Sequence, residues 1–255
     1  MIQYLSTGLT VLSFCLLLAG CQRPLGPAAI QPQFYAITAA IEPDSTEGVA
    51  TRVAGIIDPY ADQLSEAMNR VIGEVALPLV KAQPESSLGN WTADLLLTAA
   101  RDLFPDYDIA FAVQNYGGLR IAQIGSGPMR VNDIYELMPF DNELVLVEVT
   151  GREMTDFVKH TLTDGGWPVS EGLVAIRSRD GMDIRVQGKE VDDEATYYLA
   201  VPDYVANGGN DAAMLLDKRQ IGSGKMIRDL LIEYAGKTQG PISVESDGSR
   251  IKIMD

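Results

Sequence analysis

Ile109-Ala110-Phe111-Ala112-Val113, followed at 115–120 by Asn-Tyr-Gly-Gly-Leu-Arg, is the stretch from which the fold can be read. Five consecutive apolar residues predict a short strand buried on both faces. The two glycines then allow a sharp turn and a close backbone approach, so the run reads as strand-to-loop. Asn115 stands just before the glycines and Arg120 just after them. A neutral amide and a fixed guanidinium fork therefore share one bend. Taken alone, these six residues are equally served by an ordinary turn carrying a surface arginine.

Working outward, Glu143 to Val149 is a second near-continuous apolar strand, which requires a covering layer on each side. Thr150 and Glu153 have capping-box spacing and predict a helix ending near Leu162. Upstream, Leu88, Trp91, Leu95 and Ala99 form a stripe on one helix face, with Ser87 as the expected N-cap. Asp58-Pro59 reads as another helix start, with the proline in the first helical position. Met129 to Met138 predicts a short helix stopped by Pro139, and Phe140-Asp141-Asn142 follow on a loop. Between 172 and 200, strand signals alternate with Asp-Gly and Gly-Lys turns. A second glycine bend comes at Asn207-Gly208-Gly209-Asn210, then a helix from Met226 to Tyr234 and a closing strand from Arg250 to Met254. Hairpin-like and crossover connections are mixed, which predicts one α+β domain with a mixed β-sheet layered with helices.

The N-terminus reads differently. Leu9 to Ala19 is an apolar run of signal-peptide length ending in Leu18-Ala19-Gly20-Cys21, which resembles the lipobox of bacterial lipoprotein signals. The resemblance implies cleavage before Cys21, a lipid on that residue and anchorage in the bacterial cell envelope. The expected organisation is a signal peptide over 1–20, a Pro/Gln-rich tether and extension over 21–57, and a globular domain over 58–255. Tyr35 to Ile41 is either a first strand or a segment docked on the body. Cleavage would remove Cys15, so no disulfide is expected.

Composition narrows the chemistry. A net charge of −15, from 35 acidic and 20 basic residues, argues against a nucleic-acid partner. It leaves room for a small anion in a locally basic pocket. His160 is the single histidine, so neither a Cys/His zinc site nor a two-metal phosphatase centre can be assembled from these residues. His160 itself is expected to be a solvated helix residue. No Gly-X-Ser-X-Gly elbow, Walker loop or dinucleotide glycine fingerprint is present. Asp192, Asp193 and Glu194 cluster where a solvated turn is expected, and no carboxylate pair is assigned to acid–base work.

Three loops carry what remains: Asn115 to Arg120, Pro139 to Asn142, and Asp203 to Asp211. Should they converge, they supply two aromatic rings, two or three amides, one guanidinium and a carboxylate. That set suits a nucleoside, with the base between rings and polar groups on its edge and sugar.

Leu88-Gly89-Asn90, Asn115-Tyr116-Gly117-Gly118-Leu119-Arg120, Pro139-Phe140-Asp141-Asn142, Thr150-Gly151 and Tyr204-Val205-Ala206-Asn207-Gly208-Gly209 together resemble the C-terminal domain of the 5′-nucleotidases in order and spacing. The resemblance covers roughly residues 58 to 220. It implies a substrate-binding domain in which Phe140 and Tyr204 sandwich the base and Asn115, beside the bend of Gly117 and Gly118, meets it. Arg120 then reaches toward ribose and phosphate, and Asn142 adds a polar contact. Members usually carry Gly-Gly-Asp, with the Asp on the ribose hydroxyls. Here the matching residue is Asn210, followed by Asp211, and either could take that contact. Arginines usual before the helix near Leu88 are replaced by Lys81-Ala82-Gln83-Pro84-Glu85. The family's hydrolysis uses two divalent metals on a separate metallophosphatase domain, so this chain itself is expected to hold no catalytic residue, cofactor or metal.

The reading that follows is a nucleoside- or nucleotide-recognition lipoprotein acting in nucleotide catabolism with a separate metallophosphatase chain. A stand-alone nucleoside-binding lipoprotein and a degenerate envelope scaffold without ligand are the alternatives.

Overall fold

The computed structural model describes residues 47–254. The expected signal peptide, Cys21, most of the tether and the Tyr35–Ile41 segment lie outside those residues. In chain order the first elements are α1 (Glu47–Asn69), β1 (Val71–Val75), β2 (Leu79–Val80) and α2 (Ser87–Leu103). Next come β3 (Ile109–Ala112), β4 (Gln123–Ile124), β5 (Gly127–Arg130), α3 (Val131–Leu137), β6 (Glu143–Thr150) and α4 (Gly151–Thr163). The chain continues through β7 (Leu173–Ser178), β8 (Gly181–Val186), β9 (Lys189–Glu190), β10 (Thr196–Pro202) and α5 (Asp203–Ala206). It closes with β11 (Gln220–Met226), α6 (Ile227–Lys237) and β12 (Ile251–Ile253).

The central sheet has the order β11-β6-β10-β3. β6 pairs antiparallel with both β10 and β11, whereas β10 pairs parallel with β3. The sheet is therefore mixed, as the connection pattern predicts. A second sheet, β12-β7-β8-β9, packs beside it, and β1-β5 and β2-β4 form two short antiparallel pairs.

β6 shows why its sequence is nearly continuously apolar. Leu144 and Leu146 face a core with α2, α3 and α6, while Val145, Val147 and Val149 face a core with α4 and Trp167. Each fully buried Val or Leu contributes about 1.5–3 kcal/mol relative to exposure, so both faces need a cover. β3 splits the same way, with Ile109 and Ala112 on one side and Ala110 and Phe111 on the other. The result is a three-layer sandwich of helix, sheet and helix.

The capping box forms as the spacing implies: Glu153 N–H donates to Thr150 Oγ1 at 3.3 Å, and Thr150 N–H donates to Glu153 Oε2 at 2.9 Å. Three expectations shift. The cap of α2 is Ser86, whose Oγ accepts from Gly89 N–H at 3.1 Å, and Ser87 instead accepts from Val80 N–H at 2.9 Å. Residues 127–130 are strand and only 131–137 are helix, because β1 captures Met129 and its neighbours in an antiparallel ladder. The first helix begins at Glu47 and runs through Pro59. Proline forbids only its own bond, back to Gly55, and the ladder continues on either side. Ile56, Ile57, Tyr60 and Leu64 of this helix are exposed.

The pairing directions position the site. β3 and β10 run parallel and β6 runs against them, so the ends of β3 and β10 and the start of β6 meet at one sheet edge. Pro202 is paired with Leu144, and Val113 N–H donates to Ala200 O at 2.9 Å. The loops beginning at Gln114 and Asp203, and the loop ending at Asn142, therefore share that edge.

Candidate functional site

The first loop leaves β3 through Gln114, which is fully buried, and Asn115, which is nearly so. Gln114 Nε2 donates to Asn115 Oδ1 at 2.8 Å, and Asn115 Nδ2 donates to Asn210 Oδ1 at 2.8 Å. The turn itself is a 3₁₀ turn over Tyr116–Gly118. Its second glycine sits tightly under the amides: a Cβ on Gly118 would lie 2.2 Å from Gln114 Nε2 and 2.8 Å from Asn115 Oδ1, so the Gln114–Asn115 pair would have to shift to admit it. A Cβ on Gly117 would meet only Asn115 Nδ2, at 3.9 Å. Arg120 N–H then donates to Leu137 O at 2.8 Å, which seats the loop on α3. The Arg120 guanidinium is exposed, 3.3 Å from Gly117 O and 5.8 Å from the Phe140 ring centroid.

Lys81, in the segment where the family resemblance leads one to look for arginines, lies behind this loop. Its Nζ donates to Leu119 O at 2.7 Å and sits 3.9 Å from the Tyr116 ring centroid. Burial holds its ammonium below the usual lysine range, and the Arg120 charge pushes the same way.

The second loop follows α3. Ile227 N–H donates to Asn142 O at 2.8 Å, and Arg228 Nη2 binds Asp141 Oδ1 at 2.7 Å. The Arg228 guanidinium also covers the Tyr135 ring at 4.5 Å. Phe140 is thereby flanked by a clamp on its neighbour while its own side chain stays 41% exposed.

The third loop opens with Asp203. Its Oδ1 accepts Tyr204 N–H at 2.7 Å and Glu143 N–H at 3.1 Å, so one carboxylate oxygen ties the two ring-bearing loops together. Tyr204 is 47% exposed. Gly209 makes its placement possible, since a Cβ there would lie 2.5 Å from two atoms of the Tyr204 ring. Asn210 has φ +53° and is held on three sides. Its N–H donates to Tyr204 Oη at 3.3 Å, its carbonyl meets His160 Nε2 at 2.8 Å, and its Oδ1 takes the Asn115 bond.

These loops enclose a cleft of about 340 Å³ lined by Asn115, Gly117, Gly118, Arg120, Phe140, Asn142, Tyr204 and Asn210. That volume lies within the range of small-molecule sites. Of the residues singled out in the three loops, Asp211 alone is not brought in; it is exposed and outside the lining, whereas Asn210 lines the cleft. His160 also departs from expectation. It is half-buried, edge-on to Trp167 at 5.6 Å, and bonded to the Asn210 carbonyl. The helix that carries it packs under the third loop, which local sequence does not reveal. Asp203, Arg228 and Lys81 likewise gave no local signal, because each acts on a residue distant in the chain or on backbone; Gln114 acts on the side chain of its neighbour Asn115 and was not singled out. Among the described residues, no group of three or more His, Cys, Asp or Glu is placed to hold a metal ion.

The sandwich and its edge cleft define an α+β domain of the kind seen in solved 5′-nucleotidases. The 5′-nucleotidase precursor of Thermus thermophilus shares the fold with a TM-score of 0.64 at 24% identity, over 78% of this chain and 42% of that one. A family model described as "5′-nucleotidase, C-terminal domain" matches residues 71–217, more than half of the chain, and the chain belongs to that family. Among curated relatives, the endonuclease YhcR of Bacillus subtilis is 24% identical over 233 residues, 87% of this chain and 18% of that protein. A 5′-nucleotidase of Vibrio cholerae is 28% identical over 140 residues, 52% of this chain and 25% of that protein. The chain thus spans a quarter or less of each of these two relatives.

Proposed function

We propose that the cleft holds a nucleoside or nucleotide, with the base between Phe140 and Tyr204. In this reading the domain is the substrate-recognition half of a 5′-nucleotidase-type hydrolase. The observation that carries it is convergence: three loops separated by up to 95 positions place two exposed rings, one guanidinium and three amides around one cleft. Exposed aromatic faces flanked by ordered amides suit a planar, hydrogen-bonding ligand, each stacked base being worth about 1–3 kcal/mol. Asn115, fixed by Gln114, faces the base edge or sugar. Arg120, which forms no ion pair among the described residues, is available to an anionic group on the sugar.

Hydrolysis is assigned to a metallophosphatase domain with two divalent metals on a separate chain. One histidine in 255 residues supports that division of labour. Attachment to the bacterial envelope through a lipid on Cys21 is part of the same proposal, supported by Leu18-Ala19-Gly20-Cys21.

Two assays test the halves separately. Calorimetry with adenosine and 5′-AMP should give saturable binding that Phe140→Ala and Tyr204→Ala each weaken by roughly five- to a hundredfold. Absence of any binding would remove the recognition role and leave the scaffold reading. Addition of a candidate metallophosphatase chain should raise phosphate release from 5′-AMP above that of either chain alone. Binding without such a gain would instead mean nucleoside capture without a catalytic partner.

A further inference from the structure

Tyr204 is half-exposed, so burial does not fix its ring, and what backs the ring is main chain. A Cβ on Gly209 would lie 2.5 Å from two of its ring atoms, and the next N–H, that of Asn210, donates to Tyr204 Oη at 3.3 Å. The ring is held only as firmly as the backbone at 209–210. That backbone takes an uncommon course. Asn210 and Asp211 have φ of +53° and +59°, in the left-handed region that few residues other than Gly, Asn and Asp enter. Two such residues in succession persist where neighbouring structure imposes them.

One hold comes from the cleft wall, where Asn115 Nδ2 donates to Asn210 Oδ1 at 2.8 Å. It grips the side chain and not the peptide. The other comes from the core: His160 Nε2 stands 2.8 Å from the Asn210 carbonyl. A carbonyl only accepts, so Nε2 carries the proton whether the imidazole is neutral or charged. His160 is on α4, whose Phe157, Val158 and Leu162 are buried. Its ring meets Trp167 edge-on at 5.6 Å, and Trp167 is buried with its Nε1 donating to Asp164 Oδ2 at 2.7 Å. Trp167, His160, the Asn210 main chain and the Tyr204 hydroxyl thus form one continuous line from core to cleft.

We propose that His160 is a positioning residue for the base site proposed above, on which this role rests. Its Nε2–H fixes the Asn210 main chain in its left-handed turn and thereby holds the Tyr204 ring ready to stack. His160 itself is outside the cleft lining and touches no ligand. Without that donor the turn relaxes and the ring must be ordered each time a base enters, a loss of roughly three- to tenfold in affinity.

Calorimetry of the full chain with adenosine tests the role. His160→Phe keeps an aromatic ring against Trp167 but has no N–H, and should weaken adenosine roughly three- to tenfold. His160→Gln returns a donor to the same carbonyl and should restore binding to within about twofold of the wild type. Tyr204→Phe keeps the stacking face without the hydroxyl and should lose as much as His160→Phe. Combining the two phenylalanine substitutions should cost no more than either alone, because both break the same line. One measurement needs no variant: the chain has a single histidine, and its imidazole nitrogen-15 spectrum should show Nε2 protonated and Nδ1 bare once the ring is neutral. Tyr204→Phe and that spectrum decide the matter even if neither His160 variant folds. Unchanged binding in His160→Phe or Tyr204→Phe, an equal loss in His160→Gln, additive losses in the double variant, or a proton on Nδ1 would each overturn the role while leaving the base site standing. Failure of the wild-type chain to bind adenosine would instead remove the base site and this role with it.

Discussion

Asp203→Ala should loosen the cleft without entering it. In the native chain Asp203 Oδ1 accepts one bond from its own loop, Tyr204 N–H at 2.7 Å, and one across to Glu143 N–H at 3.1 Å. Hydrogen bonds to a charged acceptor contribute about 1.5–3 kcal/mol each, and the half-exposed site lets water replace part of that. A loss of about 2 kcal/mol in unfolding free energy follows. Asp203→Asn retains the oxygen but not its charge, and neutral bonds are roughly half as strong, so its loss should be about 1 kcal/mol. Binding should follow stability. Fixing a rotamer-rich side chain on binding costs about 0.5–1.5 kcal/mol, and two ring-bearing loops are released together. The affinity for 5′-AMP should drop roughly tenfold in Asp203→Ala and roughly threefold in Asp203→Asn. Urea unfolding paired with calorimetry on the three proteins reads both quantities. If Asp203→Ala unfolds earlier yet binds 5′-AMP as tightly as the wild type, the bridge stabilises the fold without preorganising the rings, and the reasoning is refuted.

Three further outcomes are expected. Gly118→Ala, whose Cβ would meet Gln114 Nε2 at 2.2 Å, should abolish nucleotide binding, whereas Gly117→Ala should change it less than threefold; calorimetry on the pair separates them. Arg228→Ala should release Asp141 and weaken 5′-AMP binding by about threefold to tenfold while leaving the far-ultraviolet circular dichroism unchanged. The side-chain bond from Lys218, and then the Thr150 backbone bond, hold the Glu153 carboxyl below its ordinary 4.5. A lowered folded-state value contributes stability that is complete above the unfolded value and is lost as pH falls through the folded one. Wild type and Glu153→Gln should therefore differ in melting temperature at pH 7, and the gap should close as the pH falls below the ordinary carboxyl value of 4.5; a gap that acid does not narrow would contradict this.

Much of the layering was legible because burial on both faces leaves a direct imprint. The apolar runs at 109–113 and 143–149 could only be central strands, and Thr150-Gly151-Arg152-Glu153 carries its own capping chemistry. Composition marked the three loops, and the resemblance to the 5′-nucleotidase C-terminal domain singled out Asn115, Arg120, Phe140, Asn142, Tyr204 and Asn210 on them. What local sequence does not encode is the direction in which distant strands pair. The parallel match of β10 to β3 and the antiparallel match to β6 bring these loops to one edge. The supports were hidden for the same reason. His160 looked like a solvated helix residue because its partner, the Asn210 carbonyl, lies 50 positions away. Ser87 was the expected cap, and Ser86 takes that place because the Ser87 hydroxyl accepts from Val80 N–H, a partner outside the helix.

A crystal structure of the chain with bound 5′-AMP bears most directly on the central claim. The account predicts the adenine ring between Phe140 and Tyr204, with Asn115 at its edge and Arg120 on the ribose side. Nucleotide bound elsewhere on the surface, or a cleft that stays empty at saturating 5′-AMP, would contradict it.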